Sequence, residues 1–127
     1  MKMNRVLMVL LCGIAAPAFA QQSALAGNWT AKWEVSGRIY EAKLKLTEQG
    51  GTWNSFAKNR RDACIGIEAP VEIQYVSDAE INMNLAFSKS LLGCADVALH
   101  LKKTAEGTLT GERDAGTAKA EIVLSRD

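Results

Sequence analysis

Catalytic side chains are scarce in this chain. His100 is its only histidine. A metal site or a nucleophile–base pair would have to be built on it, yet no second His or Cys stands near it in sequence. Its neighbours Leu99 and Leu101 alternate toward an interior, which turns His100 toward solvent. There is no Gly-x-Ser-x-Gly turn to present a serine nucleophile. The carboxylates Glu34, Glu41, Glu72, Glu80 and Glu121 all fall on outward positions of alternating segments. No two of them are set to face each other as general acid and base. The chain reads as non-catalytic, with no cofactor and no metal site.

Binding chemistry is better represented. Arg60 and Arg61, with Lys58 before them, form the densest basic feature, just ahead of Cys64. Two arginines on an anchored loop could grip a carboxylate or phosphate in bidentate fashion. Asp62 beside them also fits a plain solvated turn. Trp29, Trp33 and Trp53 all lie in the first half of the chain, and Trp29 and Trp33 share a face four residues apart. Aromatic residues of this kind fill a small core or wall a pocket for an apolar or sugar ligand. Leu91 and Leu92 stand in a stretch that otherwise reads as a loop, either as an exposed apolar anchor or as a plug in the end of the fold.

The elements that must carry these residues alternate with a period of two. Trp29, Ala31, Trp33 and Val35 face one way and Asn28, Thr30, Lys32 and Glu34 the other, which predicts a half-buried strand. Ser36-Gly37-Arg38 is a tight turn. Tyr40, Ala42, Leu44 and Leu46 follow inward, then the hairpin turn Gln49-Gly50-Gly51 and a third strand from Thr52 to Lys58. Ile65–Glu68 reads as a possible short strand, and Pro70 marks a strand start or an edge. Val71, Ile73 and Tyr75 are expected inward, then Ile81, Met83, Leu85 and Phe87, with Ser88–Gly93 as a loop. Val97, Leu99 and Leu101 form the next strand. Leu109 sits in a short one where Gly111 allows a bulge or a close approach, and Ala118, Ala120, Ile122 and Leu124 end the chain. Eight or nine strands joined by short turns imply an all-β antiparallel up-and-down meander of about eight strands. Such a meander protects its edges as a closed barrel or as a strongly curved sheet folded into a sandwich. The inward Ala31, Ala42, Ser55, Ala57, Ala118 and Ala120 are small enough to leave a cavity.

Residues 1–20 read as a cleavable signal peptide. Lys2 and Arg5 make a positive start, Val6–Ala16 is an apolar run too short to span a bilayer, and Ala18-Phe19-Ala20 offers a cut before Gln21. Residues 21–127 then form a single β domain, periplasmic or secreted, and not an integral membrane protein. Processing changes the bookkeeping of the 127-residue chain. Loss of Lys2 and Arg5 takes 15 basic against 14 acidic side chains to 13 against 14, a net charge of −1. This balance gives no reason to expect nucleic acid. Cys12 leaves with the signal, so Cys64 and Cys94 become an even pair in an oxidising compartment and are expected to form a disulfide. Nothing in the sequence sets the oligomeric state.

The triplet Gly27-Asn28-Trp29 at the start of the first strand resembles the Gly-x-Trp that opens lipocalin and avidin-type barrels. That resemblance implies a small barrel with Trp29 packed at its closed end. The chain also resembles small exported proteins of Gram-negative bacteria around Cys64, Pro70-Val71 and Gly93-Cys94-Ala95-Asp96, which implies no activity. Two roles follow. The first is a module binding a small apolar or amphipathic ligand near Trp29, Trp33 and Trp53, with Arg60 and Arg61 as further candidates. The second is a protein-interaction factor, an inhibitor, antigen or accessory protein, acting through the disulfide-linked loops with Leu91 and Leu92.

Overall fold

The computed structural model describes residues 24–56 and 62–127. The expected signal peptide, Cys12, Ala57, Lys58, Arg60 and Arg61 lie outside those residues. Eight strands follow in chain order: β1 (Gly27–Val35), β2 (Arg38–Thr47), β3 (Gly50–Ser55), β4 (Ala69–Val76), β5 (Glu80–Leu85), β6 (Val97–Lys103), β7 (Leu109–Asp114) and β8 (Lys119–Arg126). Each is antiparallel to the next, and β8 pairs back to β1, so the sheet is a closed barrel rather than a sandwich. No helix among the described residues is long and apolar enough to cross a membrane.

Alternation decides what fills it. Trp29, Ala31, Trp33, Ala42, Leu44, Leu46, Met83, Leu85, Leu99, Leu101, Ile122 and Leu124 are all buried, while Lys32, Glu34, Lys43 and Lys45 between them are exposed. The turns obey backbone rules. Ser36 and Gly37 both have positive φ (52° and 80°), the pairing that a two-residue hairpin needs to match strand twist. In the next hairpin the turn falls on Glu48-Gln49, and Gly50 and Gly51 belong to β3.

Three expectations are corrected. Ile65–Glu68 is not a strand; residues 63–66 form a turn. Phe87 leaves the β5 pattern and opens a single helical turn, α1 (Phe87–Ser90), where a loop was expected. Tyr75 is 51% exposed instead of inward. The β4–β5 register shifts between Ile73 and Tyr75, so the extra residue swaps faces and Val76 packs on the core instead.

The two ends of the barrel differ. At one end the connections are short, and both the start of β1 and the end of β8 lie there. Trp29 is 2% exposed, and its indole Nε1 donates to Leu25 O at 2.9 Å. The Arg126 guanidinium sits 4.3 Å over the Trp29 ring and donates to Ala24 O and Ala26 O, each at 2.8 Å. That cap shuts this end. The other end carries the long β3–β4 and β5–β6 connections, joined by the Cys64–Cys94 disulfide.

Close strand approach explains Gly111. It stands opposite Leu101 and Ile122, and a Cβ there would lie 1.9 Å from His100 O. Gly111→Ala is therefore expected to lower stability by about 1–3 kcal/mol, the usual range for an added methyl that must displace backbone. Denaturant melts would check this. The bridge closes a loop across 30 positions, and Cys64→Ser with Cys94→Ser is expected to cost roughly 3–4 kcal/mol in the same melts.

Candidate functional site

The open end of the barrel holds a cavity of about 300 Å³. β1 and β2 bring Trp33 and Tyr40 directly opposite one another, and their rings stack at 5.7 Å between centroids and 17° between planes. Trp53 on β3 lies 5.5 Å from Trp33, tilted by 37°. Aromatic pairs at such separations add about 0.5–1.5 kcal/mol each beyond the area they bury. Below them Ala31 faces Ala42, both fully buried, and the larger side chains close over the pair. The floor is solid: Leu44, Met83, Leu99, Ile122 and Leu124 are essentially inaccessible. The cavity lies at the mouth, beside Ser55, Val97 and Ala118.

Among the described residues, one charged side chain enters this aromatic cup. Arg113 follows Leu109 and Gly111 on the inward parity of β7, opposite Leu99 and Ala120. Its Cζ lies 4.9 Å from the centroid of the Trp33 ring. Its Nε is sealed from solvent and has no hydrogen-bond partner among the described residues. An unsatisfied buried donor costs about 1–3 kcal/mol, and more where charge is involved. Burial pulls the guanidinium's pKa down, yet an arginine stays protonated at neutral pH.

The rim is built by the disulfide-linked connections. Cys64, Ile65 and Gly66 form one lip and Phe87 and Ala95 the other. The turn α1 has no side-chain cap of its own at Ala86. Asp96, eight residues after Ser88, supplies one: its Oδ1 accepts from Ser88 N at 2.9 Å and its Oδ2 accepts from Asn84 Nδ2 at 3.1 Å. Asn84 also donates to Glu72 Oε1 at 3.0 Å, and Lys89 donates to Glu72 Oε2. Ser90 Oγ donates to Glu68 O at 2.6 Å, tying α1 to the opposite lip.

Comparison with family models, curated proteins and solved structures finds no match for this chain. Its own geometry carries the functional argument.

The sequence candidates separate in space. Trp33 and Trp53 line the cavity; Trp29 lies at the far, closed end. Leu91 and Leu92 stand on the β5–β6 connection just before Cys94, and Leu92 is 96% exposed. Arg60 and Arg61 fall outside the described residues. His100 faces outward and its Nδ1 lies 3.2 Å from Asn82 Oδ1. A wider groove of about 540 Å³ crosses the outer face past Lys32, Glu34, Ile39 and Glu121, and Trp33 is the one aromatic residue of the cavity that also lines it. Sequence reading missed Arg113 because charge was taken as a mark of the outer face. The signal that finds it is parity: Leu109, Gly111 and Arg113 are spaced by two.

The carboxylates that hold α1 set a pH dependence. The Lys89 hydrogen bond, then the Asn84 amide, holds Glu72 below the usual carboxylate range. The Ser88 backbone N–H, then Asn84, does the same for Asp96. A carboxylate whose pKa falls on folding stabilises the fold above its unfolded pKa of about 4, and the contribution fades as pH drops through the lower folded value. Thermal melts should thus show the midpoint falling as pH goes from about 5 to 3. Asp96→Asn is expected to lower the midpoint at neutral pH and to flatten that acid dependence.

Proposed function

We propose that this chain is an exported, non-catalytic β-barrel module, cleaved after Ala20, that binds a small apolar or amphipathic ligand in the barrel mouth. The observation that carries the reading is the cavity walled by Trp33, Tyr40, Trp53 and Phe87. Its volume of about 300 Å³ sits at the lower end of the ligand-pocket range. A barrel with a purely structural interior has no use for an aromatic cup left open at one end. The outward His100 supports the non-catalytic part of the reading. The charged start, short apolar run and Ala18-Phe19-Ala20 of the N-terminal segment support export, and the disulfide is compatible with it. Trp29 at the capped end is also where the resemblance to lipocalin and avidin-type barrels would put it, which supports the same reading.

The protein-interaction reading rests on a different observation. Leu92 is almost fully exposed on a loop that the bridge links to the segment carrying Ile65, itself 40% exposed. A protein that co-purifies from the native compartment, and is lost with Leu92→Asp while the cavity still binds, would favour that second role.

The cavity reading is tested with N-phenyl-1-naphthylamine, an uncharged probe that fluoresces in apolar sites. Saturable one-to-one binding is expected. Ala118→Trp places a bulky ring at an exposed position on the lip; it should weaken binding by about tenfold or more, roughly 1.4 kcal/mol, at an unchanged melting temperature. Absence of saturable binding to the folded protein would sink the proposal.

A further inference from the structure

We propose that Arg113 is the anion-recognition residue of the mouth cavity, and that the ligand is a small organic monoanion: a carboxylate on a flat aromatic body. This rests on the cavity reading above and deepens it.

Three observations carry it. First, Arg113 is placed by strand parity, not by chance of a flexible loop: Leu109, Gly111 and Arg113 share the inward face of β7, and Arg113 is fixed in register between Leu99 and Ala120. Second, its donors are uncommitted. A guanidinium offers five N–H groups in a planar fork that matches a carboxylate. Here Nε is sealed from water without a partner, and the cation–π contact with Trp33 at 4.9 Å consumes no N–H in a hydrogen bond. Arg113 lines the cavity, and a ligand carboxylate pairing with the part of the guanidinium that faces it would neutralise a charge no protein group offsets there among the described residues. Third, Arg113 is the only charged side chain among the described residues lining the cavity. One guanidinium balances one negative charge, which matches a monoanionic carboxylate. The cavity is lined by Trp33, Tyr40, Trp53 and Phe87, and aromatic walls of this kind suit an aromatic body packed against them.

Isothermal titration of the mature, disulfide-bonded protein with 2-naphthoate and with its uncharged isostere 2-naphthamide tests this. On the unaltered protein the carboxylate should bind about tenfold to a hundredfold more tightly than the amide, the range expected for charge-assisted hydrogen bonds. Arg113→Met keeps an unbranched chain against Trp33 and should abolish that preference, bringing the affinities of the two probes within about twofold of each other. Arg113→Lys should retain part of it. Equal affinity for the two probes on the unaltered protein, or a preference that persists in Arg113→Met, overturns the anion assignment while the cavity reading stands. Failure of both probes to bind folded protein overturns the two together. The comparison on the unaltered protein decides the matter even where a variant does not fold.

Discussion

Five residue pairs join β8 to β1, from Trp29 opposite Arg126 to Trp33 opposite Ile122, and the interior exists only because that seam is made. An open meander of the same strands would leave two rows of unpaired backbone groups and no enclosed face. Closure also forces a choice on every side chain: alternate residues face a common interior, and the rest face out. The seam is reinforced at its lower end. Arg126 is in β8, yet its guanidinium lies over the Trp29 ring of β1 and donates to the carbonyls of Ala24 and Ala26. Asp127 accepts from Thr30 and pairs with Lys43 across two strands, contacts that hold its carboxyl below the usual range.

With closure made, packing divides the barrel into a filled part and a hollow part. Leu44, Met83, Leu99, Ile122 and Leu124 leave no room at the middle. Toward the mouth the sequence turns to Ser55, Ala118 and Ala120, and aromatic rings become walls instead of filling. The long connections belong to this end, and they are not loose. The disulfide joins them, Asp96 caps the short helical turn, and Ser90 reaches across to Glu68. The rim of the cavity is thereby held by covalent and polar contacts where the barrel wall offers no strand pairing.

Much of this was legible in the alternation of residues. The inward series of β1, β2, β5, β6 and β8 can be read directly, as can the cysteine pair and the tight Ser36-Gly37 turn. What alternation does not reveal is where the count slips. The bulge between Ile73 and Tyr75 moves Tyr75 out because an extra residue shifts parity, and nothing in the residue types of that segment marks it. Phe87 has the right parity for β5 but begins a helical turn, which is capped by a carboxylate nine residues later, Asp96. The candidate site was half visible. Trp33 and Trp53 stood out by type; whether they shared a space with Trp29 depends on barrel length, which sets Trp29 and Trp33 at opposite ends. Arg113 was visible by position and hidden by chemistry, since an inward charge contradicts the rule used to find the strands.

The start of β1 and the end of β8 lie together under the Arg126 cap, at the end away from the cavity. Any anchor attached at Asp127, whether a surface, a bead or a fused domain, would therefore grasp the molecule by its base. The cup would then point outward from whatever held it, which is the orientation wanted of a displayed receptor or an immobilised sensor.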